Sequence, residues 1–360
     1  MHSLKFKVLL FFLLITCISF GQASYPEITE GDYLIKDFQF VTGETLPELK
    51  LHYTTLGEPK KDANGKTNNV VLIMHGTTGS ANSLLTERFA GQLFNPGQLL
   101  DSNKYYIILT DAIGHGKSSK PSDGLRMDFP EYTYDDMVKA TYQLLTEHLG
   151  INHMRLIMGT SMGGMQSWVW GYTYPDFMDA LMPLASLPVE IAGRNRMMRK
   201  GMIESIKMDP EWNNGNYDDQ PINGLKAFTA QLLLTAGNPI QRQEMAPTRV
   251  KADSLWTAMV DRISTRYDAN DVIYQFEASR FYNPSPHLEK IKAPLFAINS
   301  ADDFINPPEL KLMEPNIAKI EKGRYILIPI SAETRGHGTH SQPEIWGDYL
   351  KELLEITSKD

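Results

Sequence analysis

The sequence predicts an α/β fold: a mostly parallel, doubly wound sheet with a helical cap inserted between the sixth and seventh strands. Three observations predict it. Six short apolar runs are continuous rather than alternating, as expected of strands covered on both faces. Helical patterns fall between them. From about Val189 to Pro286, Arg- and Met-rich helical stretches follow one another with no strand pattern among them. Hydrophobic residues make up 42% of the 360, ample for one large packed domain or two small ones.

The chain begins "MHSLKFKVLLFFLLITCISFGQASYP". Lys5 and Lys7 precede an apolar run from Val8 to Phe20, with small residues at Ser19, Gly21 and Ala23. This is the layout of a signal peptide over residues 1–23, and it predicts export to the periplasm or beyond. The run is short for a membrane span. The alternatives are a lipid anchor on Cys17 and a buried N-terminal helix. Cys17 is the chain's one cysteine, so the mature protein would hold neither a disulfide nor a cysteine-ligated metal. A net charge of −8 without a long basic block argues against nucleic acid or an anionic membrane as partner, and favours a small molecule.

The first core segment, 24–188, opens with an antiparallel hairpin in "GDYLIKDFQFVTGETLPELKLHYTTLGEP". Strands follow at Asn69–Gly76, Lys104–Asp111, Met154–Ser161 and Ala180–Ser186, and helices at Asp135–Leu149, after Thr133, and at Met162–Tyr174. The cap occupies 189–286. The second core segment, 287–360, supplies strands at Pro294–Asp303 and Arg324–Ser331 and helices at Pro308–Ile320 and Pro343–Thr357. Ligands of such a sheet bind at the carboxyl ends of its strands.

The chemistry lies at those ends. "LIMGTSMGG" holds G-x-S-x-G between a buried strand and a helix, the context in which Ser161 becomes a nucleophile rather than a helix cap. A strand turning into a helix within one residue strains the backbone, and Gly159 and Gly163 allow the two to pack closely. A serine hydroxyl needs a base, and the base a carboxylate. Asp303, four residues before Pro307, is preferred to Asp302 as that acid, and the glycine-flanked His337 to His340 as the base. His340 is read as a surface or supporting residue. The amides of Met162 and of Thr77, in "MHGTTGS", are the expected donors to an oxyanion. His75 reads as a structural loop residue, and His115 in "DAIGHGKSS" as a turn residue that also lines the pocket.

Several segments carry a more specific likeness: "HGTTGSA", "FPEYTYDDMVKA…LLTEHLGI", "SMGGMQSWVWGYTYP", "DPEWNNGNYDDQPINGL" in the cap, and "DFINPPEL". Together they resemble the homoserine O-acetyltransferase-like group of the α/β-hydrolase superfamily over most of the chain after about Lys50. The resemblance implies an α/β-hydrolase fold, a triad at Ser161, Asp303 and His337, a small-molecule acyl substrate, and compatibility with a homodimer. Three departures matter. The family's glycine- and cysteine-bearing loop is replaced by "DAIGHGKSSKPSDG". The cap arginine that receives an amino acid's carboxylate is Thr229 here, with Arg194, Arg196 and Arg199 nearby as substitutes, Arg199 foremost. "GTH" follows the histidine where the family has an acidic residue.

An exported copy would lack acetyl-CoA, leaving water as the acceptor. The sequence therefore points to an exported serine hydrolase of a carboxylic ester or related acyl compound, with no cofactor and no metal. Its alternatives are an O-acyltransferase using an acyl-CoA donor, and a catalytically silent small-molecule-binding protein.

Overall fold

The structure, a computed structural model, describes residues 27–358. The segment read as a signal peptide and Cys17 lie outside them. Eight strands form one sheet: β1 (Thr29–Gln39), β2 (Thr45–Leu56), β3 (Val70–Met74), β4 (Tyr106–Thr110), β5 (Leu156–Thr160), β6 (Leu181–Leu184), β7 (Leu295–Ser300) and β8 (Gly323–Ile328). Their spatial order is β1-β2-β4-β3-β5-β6-β7-β8. β1 and β2 form the expected hairpin, β2 meets β4 antiparallel, and every later pairing is parallel.

The unbroken apolar runs have a simple cause. In β3, Leu72 and Met74 enter one core with Ile108, Ile157, Trp168 and Trp170, while Val71 and Ile73 enter another with Ile107, Met158, Phe296 and Trp346. Each side chain in the strand thus faces a covered surface, so alternation disappears. Between β3 and β4 lie two one-turn helices, α1 (Ala81–Leu84) and α2 (Ala90–Leu93). α3 (Tyr134–Gln143) starts where Thr133 Oγ1 accepts from the Asp136 amide while Asp136 Oδ2 accepts from the Thr133 amide, at 2.8 Å. It runs on as a π turn, Leu144–His148, and ends at Gly150, whose φ is +64°.

α4 (Met162–Thr173) carries buried residues around most of its circumference and is clamped against the sheet. A Cβ on Gly163 would stand 2.1 Å from the Met74 carbonyl oxygen, and one on Gly159 2.3 Å from the Gly163 carbonyl carbon. Backbone cannot yield as a flexible side chain does. Gly163→Ala is therefore expected to lower stability by about 3 kcal/mol or more, as overpacking against rigid neighbours does; urea unfolding followed by circular dichroism measures it.

Between β6 and β7 stand the helices of the cap: α5 (Gly193–Lys207), α6 (Ile222–Ala236), α7 (Pro239–Met245), α8 (Arg249–Ser264) and α9 (Ala269–Glu277). They hold a core of their own, built on Met202, Ile206, Leu225, Phe228, Ile273 and Phe276. Two expectations need correction. The helix expected over Pro308–Ile320 is a 3₁₀ turn at Pro308–Leu310 followed by α10 (Met313–Ile317), because Lys311 takes a left-handed conformation (φ +51°) that no α-helix continues through. β8 is not covered on both faces: it is the edge strand, with Arg324 and Leu327 exposed. α11 (Pro343–Ile356) closes the fold by packing Trp346, Leu350 and Leu353 on the sheet.

Candidate active site

β5 delivers Ser161 to the carboxyl edge of the sheet, and the turn into α4 is as abrupt as the glycines require. Ser161 has φ +54° and ψ −107°, a strained conformation held by its amide on the Leu184 carbonyl (2.9 Å) and its carbonyl on the Met165 amide (2.8 Å). β7 delivers Asp303, and the loop after β8 delivers His337. Ser161 Oγ lies 2.8 Å from His337 Nε2, and His337 Nδ1 lies 2.8 Å from Asp303 Oδ2.

The carboxylate is almost fully buried, yet it is well supplied with donors. Its Oδ1 accepts from the amides of Ile305 (2.7 Å) and Asn306 (3.1 Å), and Oδ2 from Asn306 Nδ2 (3.3 Å). Burial would by itself push this carboxyl up; the His337 imidazole and these donors outweigh it and hold the group below the usual carboxylate range. An ionised Asp303 only accepts, so His337 Nδ1 carries the proton and Nε2 is left to accept from the serine hydroxyl.

Asp302 faces the other way. It accepts from Asn238 Nδ2, from Ser300 Oγ, from Thr334 Oγ1 (2.9 Å) and from the Gly336 amide (3.0 Å). Its carboxylate thus fastens the loop carrying His337 to the start of α7, where Asn238 also caps the helix through the Gln241 amide (3.0 Å). Neither Asn238 nor Asn306 stands out in the sequence: Asn238 reaches Asp302 across 64 residues, and Asn306, only three residues from Asp303, belongs to no motif that marks it as a donor.

The amides of Thr77 and Met162 flank the serine, and neither donates to another backbone group. Met162 is the first residue of α4, where such an amide is free by construction. The loop is held on both sides of that amide: the Gly76 carbonyl, in the same peptide as the Thr77 N–H, accepts from the Gly79 amide (2.9 Å), and the carbonyl of Thr77 itself lies 2.7 Å from His115 Nε2. His115 does not line the cavity, contrary to expectation. It is buried, its Nδ1 lies 2.9 Å from the Ile113 carbonyl, and it supports the loop rather than touching a ligand. His75 lies beside it, its Nδ1 on the Gly76 carbonyl (2.8 Å) and its Nε2 accepting from the Ala112 amide (3.1 Å).

Burial pushes His75 down to about 4 and His115 to about 3, so both rings are neutral; a neutral His115 has one N–H and donates to one of its two facing carbonyls at a time. A histidine with a lowered folded pKa contributes stability that is present above its unfolded value, near 6.5, and lost as pH falls toward the folded one. At pH 5 the loss is about 2 kcal/mol per ring. Urea unfolding of wild type and His75→Gln at pH 7.5 and 5 should show the variant's acid sensitivity reduced by about that amount.

A cavity of about 470 Å³ opens over the serine, lined by Thr77, Ser161, Arg199, Tyr267, Phe276 and His340 among others. His340 is therefore a wall of the cavity, not a surface residue: burial holds its ring neutral, its Nδ1 has no partner, and it stands edge-on to His337 at 5.4 Å. Arg199 is also buried, yet it meets no carboxylate among the described residues; Asn195 Oδ1 (3.0 Å), Ser279 Oγ (3.4 Å) and the Phe276 ring surround it. Thr229 does not line this cavity. It is fully buried inside the cap, its hydroxyl without a partner, so it cannot meet a substrate there. Among the described residues no group of His, Asp, Glu or Cys is disposed to hold a metal, and no helix is long and apolar enough to cross a membrane.

Comparison with known proteins agrees with this architecture. A family model described as the α/β-hydrolase fold matches residues 69–329. A probable acyltransferase of Methanothermobacter thermautotrophicus is 32% identical over 304 residues, covering 84% of this chain and 91% of that protein. The homoserine O-acetyltransferase of Haemophilus influenzae is 30% identical over 300 residues, covering 76% and 81%. An acetylester hydrolase from Corynebacterium glutamicum superposes with a TM-score of 0.79 at 21% identity, over 91% of this chain and 96% of that one, a likeness of fold.

Proposed function

The chain belongs to the α/β-hydrolase family, in its homoserine O-acetyltransferase-like group of serine acyl-transfer enzymes, and on that premise we propose that it is an exported hydrolase of carboxylic esters or related acyl compounds. The observation that carries the reading is the unbroken hydrogen-bonded line from Ser161 through His337 to Asp303, ending in a cavity. His337 Nε2 takes the Ser161 proton as Oγ attacks the ester carbonyl carbon. The carbonyl oxygen becomes an oxyanion, received by the Thr77 and Met162 amides. As the intermediate collapses, the alkoxide leaves with the proton from His337, and an acyl-serine remains. A water then gives its proton to His337, attacks the acyl carbon, and releases the acid and the serine hydroxyl. Asp303 orients the ring and stabilises the imidazolium at both steps.

Water is assigned as acceptor because the loop "DAIGHGKSSKPSDG" departs from the acyltransferase pattern and the pattern of residues 1–23 directs the chain away from cytoplasmic acyl-CoA. One observation favours a second reading, an O-acyltransferase to an amino-acid hydroxyl. The buried, carboxylate-free Arg199 in the cavity suits a substrate carboxylate.

The purified protein, assayed on short-chain nitrophenyl esters and separately on acetyl-CoA with homoserine or serine, decides between them. Ester hydrolysis without amino-acid-dependent thiol release supports the hydrolase. The reverse pattern makes it an acyltransferase, and inactivity on both panels points to a binding protein. Export is tested separately, by N-terminal sequencing of native protein: a chain starting at Met1 or His2 sinks it.

A further inference from the structure

A second cavity, about 500 Å³, lies in the cap between the end of α6 and helices α7 and α8. Its walls are apolar: Leu234, Pro239, Ala252, Leu255, Trp256 and Met259 among them, with Phe304 from the loop after β7 closing one side. No carboxylate lines it. Leu233 and Arg242 line both this groove and the cavity over Ser161, so the two adjoin at these side chains. Arg242 marks the neck, its Nη1 3.0 Å from Met259 Sδ. Leu234 and Phe304 are more than half exposed, and Trp256 is exposed too, an arrangement that water alone does not favour.

The side on which the groove joins is informative. Phe304 follows Asp303 directly, and Gly237, another wall, backs onto the His337 loop: a Cβ on Gly336 would lie 3.1 Å from the Gly237 carbonyl oxygen. The oxyanion side, at Thr77 to Gly79, contributes nothing to the groove. In acyl transfer the leaving oxygen must sit within reach of the histidine that protonates it. A chain running from the serine toward the His337 side is therefore the alcohol part of an ester, not its acyl part.

We propose that the groove between α6, α7 and α8 holds the apolar chain of the substrate's alcohol, so that esters of extended alkyl alcohols are the preferred substrates. The inference rests on the hydrolase reading for the identity of the chain, and on the adjoining walls alone for its place. Each methylene entering the groove strengthens binding about fourfold until the groove is filled.

The test separates the two. Ser161→Ala protein is titrated calorimetrically with butyl, hexyl, octyl and decyl acetate, and wild type is assayed on the same series and on methyl esters of lengthening acids. Affinity rising about fourfold per methylene along the acetates, flattened by Ala252→Trp at the exposed groove wall and by Trp256→Ala, supports the groove. A matching rise in kcat/KM with alcohol length and a flat acyl series support the orientation. Chain-length-dependent binding with no wild-type turnover leaves the groove standing and removes the hydrolase reading. Affinity independent of chain length, variants without effect, or a rise along the acyl series alone overturns the proposal. So does a dimer by light scattering that Ala252→Trp dissociates while the acetate series stays flat, since a second copy would then be the occupant.

Discussion

On the proposed mechanism, Ser161→Ala is expected to lower kcat on an ester substrate by about 10⁶-fold, the loss seen when a serine nucleophile that acts as a unit with its base is removed. Among the described residues, the hydroxyl hydrogen-bonded to His337 Nε2 is that of Ser161, and it is the one lost. Residual turnover then comes from the oxyanion donors and binding alone. Single-turnover measurement with active-site titration gives the value, and a loss of less than about a hundredfold would remove Ser161 from the mechanism. Stability adds an independent reading. With φ at +54°, Ser161 holds a conformation that glycine adopts without strain, so Ser161→Gly is expected to be as inactive as Ser161→Ala yet about 1 kcal/mol more stable.

Asp303→Asn and its neighbour Asp302→Asn are expected to fail in different ways. At 303 the amide presents an NH₂ where His337 Nδ1–H now donates, favouring the wrong tautomer, and kcat falls about 10⁴-fold with the fold intact. At 302 the amide keeps one acceptor for four converging donors, from Asn238, Ser300, Thr334 and Gly336. Stability then drops by about 2 kcal/mol or more, as when buried donors lose a charged partner, while kcat falls far less. Melting temperature and kcat measured on both variants separate a positioning residue from one that acts on the imidazole. The pH behaviour should follow. Asp303's folded pKa is depressed, so its contribution to stability is present above the ordinary carboxylate value and vanishes as pH falls through the folded one. Asp303→Asn removes that acid-side loss.

The reasons the site was partly legible are local. G-x-S-x-G after a continuous apolar run specifies a sharp turn, and only a glycine fits where Gly163 meets the Met74 carbonyl. The choice between Asp302 and Asp303 turned on spacing to Pro307, and the structure supplies the physical content: the chain after β7 folds back so that amides 305 and 306 reach Asp303 alone. What stayed hidden depends on long-range packing. His115 sits in a glycine turn that suggests a pocket, but its ring is buried with its nitrogens facing the carbonyls of Ile113 and Thr77. Likeness to a family position points to Thr229, and helix rotation decides that it is buried within the cap. The edge position of β8 follows from sheet order, which no local pattern encodes.

The double duty of Asn238 has an engineering consequence. Its carbonyl oxygen starts α7, and its amide group holds both the Asp302 carboxylate and the Thr334 carbonyl, at 2.8 Å for the latter. The cap is thus not a module that can be exchanged at its two chain crossings alone. A graft that shapes a new pocket but brings no amide side chain to this position leaves the His337 loop untethered, and such a chimera would bind its ligand yet turn it over poorly.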